Sequence, residues 1–391
     1  MNTRACVSLR AVLALAVVIL AGCAGGPVLA NPPAVRPAPA ATPAPPARPA
    51  DPIPIVFPRD DAPHDRLTEW WYYTGHLRDA ATGDRFGFEF VIFRAERGAF
   101  PVSWASHLAI TDESHDRFLY AQRAEIGPQV DLRPAAGGFD LAIVSDATRA
   151  ADAANPAWHM TGSGGRDRLI ATATAAEAAL AGSKGALALD LTLASAKLPA
   201  LHDRDGWIDF GLGGGSYYYS RTRMSAGGSV TLDGRTMTVD GEAWFDHQWG
   251  DFISVGGGGW DWFAVNLADG SDLTLSIVRD RAGTNALVYG TYVDPDGTTI
   301  HLLANAFRVT VTGHWTSPRT GAVYPAGWHV EVLDRGLTID LTPTVAGQEL
   351  NTRATTGVVY WEGSQVVRAT RNGTSVAGEG YVELTGYAVR P

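Results

Sequence analysis

The chain has 391 residues, a formal net charge of −10 at neutral pH and only two cysteines. An acidic balance with no basic run excludes nucleic acid and anionic lipid as partners. Both cysteines, Cys6 and Cys23, stand near the N-terminus, so the remainder has no disulfide and no thiolate and depends on the size of its core.

Arg4 and Arg10 precede an apolar run from Ala11 to Ala21 that is too short to span a bilayer and reads as a secretion signal. It ends in Leu20-Ala-Gly-Cys23, which resembles the lipobox of bacterial lipoproteins. Residues 1–23 are therefore the expected lipoprotein signal, with Cys23 as the acylated residue; an ordinary cut near Ala30, discarding Cys23, is the alternative. Residues 24–54 are mostly Ala and Pro, which cannot bury a core, and form an extended tether. The expected location is the bacterial envelope, facing the periplasm, with membrane attachment through acyl chains on Cys23. Roughly 340 residues remain, more than one compact core usually takes, and predict two domains, at 55–240 and 241–391.

The body opens with Pro63-His-Asp65 and then Glu69-Trp-Trp-Tyr-Tyr-Thr-Gly-His-Leu77. At a period of two, Trp70, Tyr72, Thr74 and His76 share one face and Trp71, Tyr73, Gly75 and Leu77 the other. Both faces are aromatic, which predicts a strand covered on both sides, by a barrel interior and either a neighbouring domain or a bound apolar ligand. Further strands follow in Arg85 to Phe93, Ser106 to Thr111 and Ala186 to Leu193. Leu169 to Ala181 is Ala-rich but alternates in its first half and is read as a strand. Asp233-Gly234, set between two alternating runs, predicts a hairpin. Short alternating segments continue to Tyr387 with no long amphipathic helix, which predicts an all-β body of two sandwiches or barrels.

The densest chemistry lies in Glu242-Ala-Trp-Phe-Asp-His-Gln-Trp-Gly-Asp251 and Trp260-Asp-Trp-Phe263. If Ala243 to Trp249 is a strand, Phe245, His247 and Trp249 share one face and Trp244, Asp246 and Gln248 the other. Asp261 opposes Trp260 and Trp262, and burial on both faces would keep its carboxyl protonated. A neutral acid, aromatic rings to face a carbocation and a histidine to orient water suit the protonation of an isolated alkene. Asp261 is the preferred proton donor and Asp246, opposite His247 and Trp249, the lesser one. The plain alternative is that the tryptophans are core packing and the histidine is a structural hydrogen-bonding residue. No His-Glu-x-x-His, paired histidine spacing or cysteine cluster is present, so no metal site is expected. No Gly-x-Ser-x-Gly or phosphate loop occurs, and no cofactor is expected.

Glu69 to Leu77, Tyr217-Tyr-Tyr-Ser220, Gly241 to Gly250, Gly259 to Phe263, Tyr360-Trp-Glu-Gly363 and Gly380-Tyr-Val-Glu-Leu-Thr-Gly-Tyr387 resemble the lipocalin-like family of carotenoid 1,2-hydratases and AttH-like secreted proteins. The resemblance runs from about Ile55 to the C-terminus and implies two tandem lipocalin-like antiparallel β-barrels. It also implies a functional His-x-Trp pair at His247 and Trp249, and this chain looks closer to the AttH-like branch. The expected ligand is a long apolar molecule, isoprenoid or lipid, lined by Trp70, Tyr72, Tyr218, Phe245, Trp260 and Trp262 and hydrated or isomerised by acid catalysis. A non-catalytic lipid carrier is one alternative. A hydrolase, for which Ser254 is the nearby hydroxyl, is the other.

Overall fold

The computed structural model describes residues 50–134, 137–252 and 257–388. The expected signal, Cys23, nearly all of the tether and Ser254 lie outside the described residues. Twelve strands form the first sheet: β1 (Thr68–Asp79), β2 (Arg85–Ala95), β3 (Ser103–Asp112), β4 (Arg117–Ile126), β5 (Phe139–Ile143), β6 (Trp158–Ser163), β7 (Arg166–Thr172), β8 (Ala188–Ser195), β9 (Ala200–Leu201), β10 (Trp207–Asp209), β11 (Gly215–Leu232) and β12 (Arg235–Gly250). Their order is β4-β3-β2-β1-β12-β11-β8-β7-β6-β5, with β9 and β10 also on β11. The sheet curls until Arg123 on β4 donates to the Ile143 carbonyl at the end of β5, 3.1 Å away, which nearly closes a barrel.

The remaining strands are β13 (Gly257–Leu267), β14 (Asp272–Asp280), β15 (Asn285–Val293), β16 (Thr299–Leu303), β17 (Phe307–Val311), β18 (His314–Thr316), β19 (Val323–Pro325), β20 (Trp328–Val332), β21 (Leu337–Pro343), β22 (Glu349–Thr352), β23 (Val358–Arg371) and β24 (Thr374–Thr385). Ten of them make a second antiparallel sheet, ordered β16-β15-β14-β13-β24-β23-β21-β20-β17 with β22 on β23, and β18 and β19 pair alone. The all-β expectation therefore holds. Both sheets belong to one compact unit that begins at Pro54.

Alternation explains how each strand serves two environments. On β1, Trp71 and Tyr73 join Phe88, Phe90, Trp158 and Leu191 in the core enclosed by the first sheet. Tyr72, on the opposite face, packs with Val91, Trp244, Trp262, Ala264 and Tyr381 in a seam between the two sheets. The two-sided burial predicted for β1 is thus met by protein on both faces. A third core, with Phe263, Trp328 and Trp361, lies on the inner face of the second sheet.

The change of sheet falls after Gly250, inside the boundary region expected near 235 to 255, because Gly241 to Gly250 pairs with β1 along one edge and, but for a short irregularity near Arg221, with β11 along the other. One sequence expectation shifts. The stretch Leu169 to Ala181 is a strand only to Thr172; a short helix, α1 (Ala175–Leu180), follows. A capping box starts that helix: Thr174 accepts from the Glu177 amide at 3.2 Å, and the Glu177 carboxylate accepts from the Thr174 amide at 2.6 Å. The Asp233-Gly234 hairpin joins β11 to β12 as expected, with φ of +53° and +82°, the left-handed pair that a two-residue turn requires.

Candidate functional site

The site is built where β1, β12 and β11 lie side by side. Register sets Trp71 opposite His247 and Glu69 opposite Trp249 across β1 and β12. Across β11 and β12 it sets Tyr219 opposite His247 and Tyr217 opposite Trp249. With period two, Glu69, Trp71, Tyr217, Tyr219, Phe245, His247 and Trp249 all turn to the inner face. The shared face predicted for His247 and Trp249 is present.

The buried Glu69 carboxylate ties two histidines together. Its Oε1 lies 2.9 Å from His247 Nε2 and 2.7 Å from His64 Nδ1, and its Oε2 accepts from the His64 backbone amide at 2.9 Å. His247 is fully buried, whereas the His64 side chain retains 20% exposure. The other ring nitrogens are engaged as well. His247 Nδ1 lies 3.3 Å from Tyr219 Oη, which donates to Asp61 Oδ1 at 2.5 Å, and His64 Nε2 lies 3.5 Å from Asp60 Oδ1. Arg221 completes the chain with an ion pair to Asp61 at 2.9 Å.

Two indoles enclose this array. His64 stacks flat on Trp249 with ring centroids 4.1 Å apart, and His247 stacks on Trp71 at 4.7 Å. Burial opposes charge on His64, but Glu69 and Asp60 outweigh it and raise its pKa. For His247 burial prevails over the help from Glu69 and lowers it. Burial also works against the Glu69 carboxylate, yet His64 and His247 hold its pKa below the usual value. The pair of histidines is therefore displaced in opposite senses around one acid, the arrangement that separates a proton donor from a proton acceptor.

A surface cleft of about 590 Å³ approaches the same array, lined among others by Phe57, Lys197, Leu198, Pro199 and Arg221. Phe57 meets the Tyr219 ring edge-on at 4.8 Å, so Tyr219 stands between the cleft and His247.

The remaining predicted residues fall elsewhere. Asp246 faces the seam, where Tyr218 and Ser220 donate to it at 2.5 Å and Trp244 at 2.6 Å. Burial lifts its carboxyl to about 6 against these three donors, and no cation is among them. Asp261 sits on the inner side of β13, the side of Phe263, bound to Arg279 at 2.5 Å and to Tyr387 at 3.0 Å. Burial raises its pKa, but its partner is a guanidinium, which stabilises the carboxylate and weakens the case for a donor acid. His247, Asp246 and Asp261 thus occupy three different faces. Of the expected ligand-lining aromatics, Phe245 is on the inner face, while Trp70, Tyr72, Tyr218, Trp260 and Trp262 lie in or beside the seam.

Sequence reasoning passed over His64, Glu69, Tyr219 and Asp61. The cue was there for Glu69, which shares the parity of Trp71 and so belongs with the inner aromatics. It also missed two buried seam acids, Glu89 and Glu362, and the partly buried Glu383. Tyr360 donates to Glu89 and Tyr72 to Glu362, both at 2.8 Å, and Trp260 donates to Glu383 at 2.9 Å. Burial pushes Glu383 up to about 7 and Glu89 and Glu362 well above the ordinary carboxylate range.

A model of the AttH-like family matches residues 48–387. The chain belongs to the AttH-like family. Among solved structures, an AttH-like protein from Nitrosomonas europaea is 28% identical and superposes with a TM-score of 0.72, covering 88% of this chain and 100% of that one. Kievitone hydratase from Nectria haematococca, at 14% identity and a TM-score of 0.65, covers 85% of this chain and 93% of its own. No curated protein sequence matches. The AttH-like chain described here has the lipocalin-like, all-β architecture of these neighbours.

Proposed function

We propose that this AttH-like protein binds a long apolar molecule of the isoprenoid or lipid class and adds water to one of its double bonds, or shifts the bond, by acid–base chemistry. The observation that carries the reading is the His64–Glu69–His247 array, hydrogen-bonded, buried and enclosed by Trp71 and Trp249. The reaction class is the one named for the structurally similar kievitone hydratase. On this reading the protein is exported and held at the bacterial envelope through Cys23.

In a hydration, the His64 imidazolium gives its proton to one alkene carbon. The flanking indoles face the cation that develops. A water oxygen then bonds to the second carbon, and the proton it releases passes to His247. Glu69, bonded to both rings, returns the proton from His247 to His64 and closes the cycle. An isomerisation uses the same first step and ends with His247 removing a neighbouring proton instead.

Mass spectrometry of organic extracts from the purified protein, followed by titration of the extracted molecule against tryptophan fluorescence, tests the reading. Quenching is expected in the wild type and in His247→Ala, with turnover at least about 100-fold lower in the variant. If no apolar molecule alters fluorescence or melting temperature, the reading is wrong.

A further inference from the structure

We propose that His64, Glu69 and His247 also form a binding site for one divalent transition-metal ion. One ligand-type atom from each of the three lies within 4.8 Å of the other two. Two histidines and one carboxylate are a donor set that zinc and its neighbours accept, with a further position left for water or substrate. At zinc–nitrogen distances of about 2.0–2.1 Å, donors around one ion stand roughly 3.3 Å apart. The carboxylate-to-ring distances of 2.7 and 2.9 Å come near that spacing and would open by only a few tenths of an ångström.

The hydrogen-bond accounting supplies a second observation. Tyr219 has a single hydroxyl proton, and the contact to Asp61 at 2.5 Å uses it. A neutral His247 has one ring proton for two acceptors, Tyr219 Oη and Glu69 Oε1, and with Nδ1 donating to Tyr219 its Nε2 presents a lone pair. That lone pair faces a carboxylate oxygen at 2.9 Å. Two lone pairs at that distance call for a cation between them, a shared proton or a metal.

The surroundings favour the metal in a further way. Ligating histidines are held by an acceptor on the far ring nitrogen, and ligating carboxylates by hydrogen bonds of their own. His247 has Tyr219 backed by Asp61, His64 has Asp60 at 3.5 Å, and Glu69 Oε2 has the His64 amide. The partial exposure of His64 gives an ion a way in. His64 and Glu69 are five residues apart, but His247 stands 178 residues from Glu69, so no short motif announces the full set.

A bound ion takes the same nitrogen and oxygen atoms as the proton relay, so the metal-bound form is a state separate from the proposed cycle, and occupancy is read without turnover. The full chain, stripped with a chelator and free of any histidine tag, is titrated with zinc by calorimetry. One zinc per chain is expected, with a rise in melting temperature, and cobalt(II) in its place should give visible absorption from a low-coordinate nitrogen–oxygen site. His64→Ala should weaken zinc binding at least about 100-fold, and Asp60→Asn, which weakens the outer partner of His64 and also its ion pair with Arg59, about 10-fold. Should His247→Ala fail to fold by circular dichroism, His64→Ala at the more exposed position and the wild-type cobalt spectrum still decide. Absence of stoichiometric zinc, or uptake unchanged in His64→Ala, overturns the proposal and leaves a shared proton at the site.

Discussion

Glu69 holds the candidate site together through three close polar contacts with His64 and His247. Breaking one side of a buried ionic contact strands the other, so Glu69→Gln should cost about 3 kcal/mol in urea unfolding. The seam acids make a different prediction. An unfolded Asp titrates near about 3.9 and a Glu near about 4.3, whereas folding raises Asp246 to about 6 and Glu383 to about 7. Both bind their protons more tightly when folded, so their contribution is complete below about pH 4 and is lost as pH rises through those higher values. Wild-type melting temperature should therefore fall between those limits, and Asp246→Asn should flatten the profile by on the order of 3 kcal/mol at neutral pH. At this scale the sequence discloses His247 and Trp249, because the local motif and the strand period agree. It conceals Glu69 and His64, because their meeting with His247 depends on which strand pairs with β12. Asp261 reads as a dry acid for a similar reason: the guanidinium of Arg279, from the neighbouring strand, is invisible in the local pattern.

Strands β1 and β12 position both faces of the site, and their close approach has a definite limit. A Cβ on Gly75 would meet the Glu242 carbonyl at 2.5 Å, a Phe88 ring carbon at 2.6 Å and the Ala243 Cα at 2.9 Å. Backbone on one side and a buried ring on the other cannot yield freely, so Gly75→Ala should destabilise by about 2 kcal/mol and slacken the register that sets Trp71 against His247. Calorimetric melting checks the first effect, and loss of turnover the second. Most elements were readable from alternation and from turn residues such as Asp233-Gly234. The helix α1 was not, since its alanines fit either period and the deciding feature is the reciprocal Thr174–Glu177 cap. The place where the chain changes sheet has a similar origin: Gly241 to Gly250 belongs to the first sheet through its two pairing partners, which local pattern does not show.

At the scale of the molecule, two antiparallel sheets share a seam of aromatic rings and acids in which no cation among the described residues pairs with Asp246, Glu89 or Glu362. Trp262 lies in that seam against Tyr72 and Trp244 and donates to Tyr218 at 3.0 Å. Trp262→Ala should cost about 4 kcal/mol and, by loosening the seam, split a single unfolding transition into two. The two-sheet architecture could be anticipated from the number of short strands, but the seam could not, because buried acids such as Glu89 and Glu362 look like solvent-facing positions in an alternating strand. The reaction itself is tested most directly by incubating the full chain with an unsaturated isoprenoid or lipid in heavy water and recording the mass of the recovered molecule. Deuterium bound to carbon in the wild-type product, with or without added water, and its absence with His247→Ala, is the predicted result. A bound but unlabelled molecule, or equal labelling in the variant, would contradict an acid–base centre at His247.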